Sequence, residues 1–514
     1  MAESVANSKR VAKNTIFLYI RMLLVMAVSI YTSRVVLATL GVSDYGIYNV
    51  VGGVVGFLGF LNSSMANAVQ RFLSFELGKG EKGETNRVFC SAVVAHVIIS
   101  IVVVIALELV GPWFISTKMS IPADRMDVAE WVFQCSVFTV LFSFVQVPYN
   151  AIIIAKEKMG IYAYVSIIEV LAKLGIVYLL VVIPFDKLSM YAILQMVVTI
   201  AILMIYRVYC IKKFEEAHFH FIKDFRKLKE IVSFAGWNLI GEFSWAVTNQ
   251  GTSIILNMFC GPVVNAAQGV SNQVNSAVSR FIANFQTALN PQIIKSYSAS
   301  QFKDMVKLVS RGSRMSFFLL LFLSLPLIYE MDYILNLWLV EVPKYATIFC
   351  QLTLICSLVM IITNLLVQVI RATGNIRNYQ FSTALFSLAT FPLAYYALKV
   401  GMTPAIVVVI MIFVQIVVGT MRLYFVKKQV SYPIKDFITK DVRLMLTVCV
   451  LSCIVPSIIV LFFPSSFVRF VLNILLSCTC IAILSGYIGL TKEERNKAVT
   501  IIRNHIPHSL GRHH

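Results

Sequence analysis

The sequence predicts an all-α polytopic membrane protein with about 14 transmembrane helices, and three observations predict it. Hydrophobic stretches, most of about 20 residues or more and so long enough to span a bilayer as a helix, follow one another from Asn14 to near Leu490 with only short polar breaks. The composition is 58% hydrophobic and only 13% charged, with a mean hydropathy of +0.81, whereas soluble domains are about one quarter charged. Positive charge also alternates from loop to loop. Membrane barrels are excluded because their strands need only about 10 residues of alternating polarity.

Taken in order, the spans run near 14–39, 46–70, 88–110, 128–151, 162–183, 190–210, 235–260, 263–289, 314–337, 346–370, 380–399, 404–424, 442–463 and 466–490. Of the 44 Lys and Arg residues, 34 fall on the N-terminal side and in every second loop, 6 in the alternate loops and 4 within spans. The positive-inside rule then places both termini in the cytoplasm, and the even number of spans agrees. The formal charge of +19 is therefore a loop asymmetry and does not call for a nucleic-acid partner. The first span starts near Asn14, is too long for a signal-peptide core and lacks a small-x-small cleavage site, so it reads as a retained helix.

Little chain is left for soluble chemistry. The longest loop on the outer side runs from Gly111 to about Asp127, too short for a catalytic domain, which argues for a transporter and against an enzyme. The 10 cysteines show neither disulfide nor zinc spacing and read as small hydrophobes. His505, His508, His513 and His514 form a loose polar tail, so no metal or other cofactor is expected.

The chain divides into an N-lobe at 1–210 with spans 1–6, a cytoplasmic amphipathic linker at 211–234, a C-lobe at 235–425 with spans 7–12, and 426–514 with spans 13, 14 and a cytoplasmic tail. In the linker Phe221, Phe225, Leu228 and Val232 share one helical face and the lysines face elsewhere, a pattern suited to the inner leaflet and its membrane lipids. Two signs point to an internal repeat. Ile222-Lys223-Asp224-Phe225 recurs as Ile434-Lys435-Asp436-Phe437, and sliding the first half of the chain along the second lays Gly41 on Gly261, each in a turn between two long spans. Repeats of even span number keep one orientation and relate by an axis along the membrane normal.

Span 8 is the least lipid-like helix. At about 100° per residue, Asn265, Gln268, Asn272, Asn275, Ser276, Ser279, Ala283, Gln286 and Asn290 form one stripe, widened by Gln273, Arg280 and Asn284. Two readings stand: interhelical hydrogen bonding and a water-filled cavity. So many amides beside Arg280 favour the cavity. Span 7 carries Asn238, Glu242, Trp245, Asn249 and Ser253 on one face, span 1 carries Arg21, and span 5 carries Lys173 one turn after Glu169. That Glu–Lys spacing also permits a self-neutralising pair. Glu108, Glu330 and Asp332 lie near outer helix ends, where exposure at the interface is expected. The candidate cavity residues are Arg21, Lys173, Arg280, Asn249, Gln268, Asn272, Asn275 and Gln286, with Glu169 and Glu242 as candidates for ion coupling. Their summed charge is only slightly positive and admits more than one kind of cargo.

Four short motifs, in this order and spacing, carry a resemblance: Leu40-Gly41-Val42-Ser43-Asp44-Tyr45-Gly46, Pro148-Tyr149-Asn150, Asn290-Pro291-Gln292 and Ala372-Thr373-Gly374-Asn375. With two six-helix lobes, a polar span 7–8 pair and two extra C-terminal spans, the chain resembles the polysaccharide (O-antigen, Wzx-like) flippases. These are a branch of the multidrug/oligosaccharidyl-lipid/polysaccharide (MOP) exporter superfamily, whose fold is MATE-like. The resemblance implies an undecaprenyl-diphosphate-linked oligosaccharide as cargo, flipped across the bacterial inner membrane by alternating access for surface polysaccharide such as O-antigen lipopolysaccharide or capsule. It implies cationic cavity residues near the diphosphate, in the spans that hold Arg21 and Arg280. It also implies coupling to an H+ or Na+ gradient, and glycosyltransferases and a polysaccharide polymerase as partners. The alternative within the superfamily is a multidrug or organic cation exporter, which would favour an acidic, aromatic cavity; Glu169 and Glu242 keep it open.

Overall fold

The computed structural model describes residues 2–489 and 495, apart from 57–58, 119–120, 183, 222–224 and 340–341. The C-terminal histidines and Ile222-Lys223-Asp224 lie outside the described residues. Among the described residues there are helices and no strands. In chain order the helices are α1 (Ala2–Gly56), α2 (Gly59–Gly78), α3 (Thr85–Lys118), α4 (Met126–Ala155), α5 (Met159–Val182), α6 (Lys187–Lys213), α7 (Phe225–Ser298), α8 (Phe302–Tyr329) and α9 (Met331–Trp338). They continue with α10 (Ala346–Asn364), α11 (Leu366–Thr373), α12 (Arg377–Leu388), α13 (Thr390–Lys399), α14 (Ile406–Val430), α15 (Ile434–Asp436), α16 (Arg443–Phe462) and α17 (Phe467–Leu484).

Ten segments among the described residues are long and apolar enough to cross a membrane, and they answer to spans 3–6 and 9–14. The other four spans come from α1 with α2 and from α7. At about 1.5 Å per residue, the 55 residues of α1 and the 74 of α7 far exceed one bilayer. Each breaks at a single glycine, Gly41 with φ 81 and ψ 168, and Gly261 with φ 79 and ψ −179. This backbone region is open to glycine and strained for any residue with a Cβ. The chain is thus a multi-pass all-α membrane protein.

The linker segment is not one element. α6 runs to Lys213, a 3-10 turn covers Glu215–Ala217, and α7 begins at Phe225 and continues into span 7. Asn86 on α3 donates to the Glu216 and His218 carbonyls at 3.0 and 2.8 Å, and Lys156 pairs with Glu216, so the turn is fastened to the first six spans.

The chain packs as two compact units. Unit 1 holds Met1–Ser244, Thr287–Met305 and Gln368–Phe381; unit 2 holds Trp245–Gln286, Val306–Val367 and Ser382–His514. Unit 1 packs α4 on α6, α3 and α2, and α1 on α5, around Val36, Val51, Ile115, Phe133, Phe144, Leu180 and Leu188. Within lipid the gain from such cores is close packing and dispersion rather than transfer out of water. Three connections on the basic-poor side of unit 1 meet at Arg125, whose Nε donates to Asp44 at 2.9 Å and whose Nη1 donates to Asp186 at 2.7 Å, with Nη2 also on Asp44.

Unit 2 packs α10 on α14 and α16 on α17, around Phe317, Leu321, Phe349, Leu354, Val408 and Val448. Glu330, expected at the interface, is instead 1% exposed. It accepts from Arg469 at 2.9 Å and Asn473 at 2.8 Å, and Ser477 donates in turn to Asn473. A carboxylate there tolerates burial because both oxygens are paired, and the pairing ties the last span to the end of α8. Hydropathy alone carried no sign of that partner, which lies 139 residues away.

Candidate functional site

In unit 1 the charges that the sequence singles out in spans 1 and 5 each find a partner on α5. The Arg21 guanidinium lies 4.5 Å from the centre of the Tyr162 ring, an arrangement favourable to a partly desolvated cation. Its Nε is buried and meets no hydrogen-bond partner among the described residues. Further along α5, Lys173 and Glu169 form an ion pair at 2.7 Å, each about one third exposed, as the i, i+4 spacing allows. Towards the other end of this pair of helices the Tyr31 and Tyr178 hydroxyls meet at 2.7 Å, a second polar contact between α1 and α5. Glu242, half-buried on α7, belongs to the same unit and makes no hydrogen bond or ion pair among the described residues.

In unit 2 the polar stripe of span 8 divides between its two readings. Gln268 is buried and donates to Asn272 at 3.2 Å. Asn275 accepts from Ser357 on α10 at 2.7 Å. Gln286, also buried, donates to Ser316 on α8 at 3.2 Å and accepts from Asn364 at 2.8 Å. Ser271 adds bonds to the Phe349 carbonyl and to Thr353. Gln268 and Asn272 are paired within α7, whereas Ser271, Asn275 and Gln286 bind helices together, as polar groups in lipid do. Asn249 satisfies its own helix by donating to the Trp245 carbonyl. The exposed line is displaced by one residue and comprises Ala266, Gly269, Gln273, Ser276, Ala277, Arg280 and Ala283. By contrast, the exposed faces of α3, α16 and α17 are lined by Leu, Ile, Val and Phe. Val263, next to the Gly261 break, is exposed as well, but from Ala266 to Ala283 the exposed face carries only small and polar side chains and one guanidinium, which suits water and polar cargo rather than acyl chains. Arg280 makes no hydrogen bond or ion pair with any described residue.

Residues 11–297, more than half of the sequence, match the family model described as polysaccharide biosynthesis protein. The chain belongs to that family, a flippase family of the MOP superfamily. Known structures agree on the fold. A Vibrio cholerae MATE transporter, VcmN, superposes with a TM-score of 0.72 at 13% identity, covering 83% of this chain and 98% of its own. A MATE structure in the straight conformation gives a TM-score of 0.71 at 10% identity, covering 83% and 97%. A MOP superfamily transporter from Pyrococcus furiosus, described as having a binding pocket of reverse polarity that suggests a different function, gives 0.66 at 10% identity, covering 83% and 96%. No curated protein matches the sequence.

The MOP-like motifs gain physical roles. Asp44 of the first receives Arg125. In the second, Tyr149 packs edge-on against Phe89 with ring centres 5.4 Å apart. Gln292 of the third donates to Glu157 at 3.0 Å. Gly374 of the fourth, at φ +80, lies where an added Cβ would stand 2.7 Å from Arg71 Nη2. Sequence reasoning did not single out Arg71 and Glu157, because both sit at loop ends where charge is expected. Their burial at 7% and 3% depends on partners about 135–300 residues away.

Proposed function

We propose that this MOP exporter flips an undecaprenyl-diphosphate-linked oligosaccharide across the bacterial inner membrane, with both termini in the cytoplasm, for surface polysaccharide assembly. The observation that carries the reading is the exposed small-and-polar face of α7, with Arg280 on it. A diphosphate is costly to desolvate, and guanidinium groups bind phosphate through paired donors. Neutral amides and hydroxyls suit a sugar chain. The family description supports the same cargo class, and the reversed pocket polarity ascribed to the Pyrococcus furiosus transporter is in keeping with a fold not confined to one kind of cargo. No bond-making step is required, so the protein acts as a transporter, with glycosyltransferases supplying its cargo and a polymerase consuming it. Glu169 and Glu242 are the proposed coupling carboxylates for an H+ or Na+ gradient.

The deciding experiment is Arg280→Ala in cells. The variant should insert and fold, yet lipid-linked precursor should accumulate on the inner leaflet while surface polysaccharide disappears. Normal polysaccharide in that strain, or efflux of cationic dyes by the wild type, would move the function to the drug-export branch.

A further inference from the structure

The basic-loop end of unit 1 joins distant parts of the sequence by two grips. In the first, Arg71 on α2 donates from Nε to the Arg371 carbonyl at 3.0 Å and from Nη2 to the Ala372 carbonyl at 2.9 Å. These are among the last carbonyls of α11, which have no i+4 donor in the helix; the Arg371 carbonyl also accepts from the Gly374 amide at 3.1 Å. The guanidinium is also flanked by Phe72 and Phe75 at 4.6 and 4.7 Å. In the second, Glu157 in the turn between α4 and α5 accepts from Gln292 at 3.0 Å and from Lys295 at 2.8 Å, both on the last turns of α7. The Glu157 carbonyl holds Asn14 at 3.0 Å. Between the grips α2 and α7 approach closely: a Cβ on Gly78 would lie 2.6 Å from the Lys295 carbonyl oxygen, and Ser298 donates to the Phe75 carbonyl.

The grips are related by the internal repeat. The register that lays Gly41 on Gly261 also lays Arg71 on Pro291, beside Gln292, and brings the turn after α4 close to the turn after α11. The end of span 2 therefore holds the span 10–11 turn, while the end of span 8 holds the span 4–5 turn. The grips close over a well-packed apolar layer: Leu73, Ile153, Ile293, Val369 and Ile370 are fully buried, beside the small cluster of Leu18, Met159 and Ala288.

We propose that Arg71 and Glu157 are the two arms of a duplicated, crossed latch that keeps this end of the exporter shut, and that both must release together for it to open. The proposal rests on the chain cycling as a transporter and not on the identity of the cargo.

Hydrogen–deuterium exchange on the full-length protein in lipid nanodiscs tests it. Arg71→Ala should raise exchange several-fold at 366–381 and also at 287–298, although the Glu157 grip is untouched. Glu157→Gln with Lys295→Met should do the reverse, loosening 366–381. Exchange in 346–364 of unit 2 should stay unchanged and serves as the control for folding. If each variant loosens only the segment it contacts, the grips are independent packing contacts and the latch is refuted. Should Arg71→Ala lose its fold, Arg71→Lys retains the charge without the paired donors and gives the same reading. No cargo takes part, so a failed latch leaves the flippase assignment standing, and a failed flippase assay leaves the latch standing.

Discussion

Gly41 and Gly261, equivalent positions of the internal repeat, hold the same backbone conformation: φ 81 with ψ 168 in one and φ 79 with ψ −179 in the other. Each lets a membrane-length helix turn back on itself without a loop. A Cβ added at either glycine would meet no atom within 4 Å, so the requirement is conformational and not steric crowding from elsewhere. Gly41→Ala and Gly261→Ala should each destabilise by about 1–3 kcal/mol, the usual strain for this region. Thermal unfolding in detergent would show two similar downward shifts; an unchanged midpoint for either would mean that its turn can be made another way.

Gln286 and Arg280 lie on one helix and should separate cleanly. Gln286→Ala strands the Ser316 hydroxyl and the Asn364 amide, costing about 1–3 kcal/mol of stability. Arg280→Ala touches no partner and should stay within about 0.5 kcal/mol while abolishing transport. Denaturation and flipping measured on the same preparations would reveal any variant that breaks this division.

Acid should loosen the loops rather than the spans. Burial works to raise the Glu216 carboxyl, but the hydrogen bond and charge of Lys156, together with a backbone hydrogen bond, outweigh it and hold the group below its ordinary 4.5. Burial likewise opposes ionisation of Asp186, and the Ser189 amide and Arg125 overcome it, holding it below 3.8. Groups with lowered native values stabilise the fold above the unfolded value, and the contribution disappears as pH falls through the native one. Stability should therefore be flat from neutrality to about pH 5 and decline below that. Lys156→Met and Arg125→Gln should each flatten the decline; a fall beginning near neutrality would point to other groups.

Glu169 and Lys173 admit two roles that behave differently under substitution. If Glu169 serves a coupling ion, Glu169→Gln should uncouple flipping from an imposed gradient in proteoliposomes while the protein remains folded, and adding Lys173→Met should not restore coupling. If the two are a structural pair, one substitution should harm folding more than both, because a lone charge is then left at membrane depth, where it costs about 3 kcal/mol. Full gradient-driven flipping in the double variant would shift the coupling site to Glu242.

The spans, their order and the repeat were legible because each depends on local hydropathy, on loop charge or on a glycine whose backbone is reserved to it. The candidate site was legible by helix and not by face. Arg280 was found with its helix, but the line that Gln268, Asn275 and Gln286 occupy turned inward by one residue, since Ser357, Ser316 and Asn364 lie on helices whose packing no period reveals. Glu330 was misplaced for the same reason: its partner Arg469 is distant in sequence. Arg71 and Glu157 resembled ordinary loop-end charges until the elements that bury them were in place.

Neither limb of α7 is among the described helices apolar enough to cross a membrane unaided. Such a segment partitions poorly from the translocon when it emerges alone, because its amides and Arg280 have nothing to bind. Gly261 supplies the remedy by making the two limbs a hairpin that enters lipid as one object. During synthesis the second limb should hence stay near the translocon until α8 and α10 arrive with Ser316, Ser357 and Asn364. In a reporter that scores glycosylation across microsomes, residues 263–289 should fail to insert by themselves and succeed when 235–262 precede them; efficient insertion alone would show that the polar face carries no such delay.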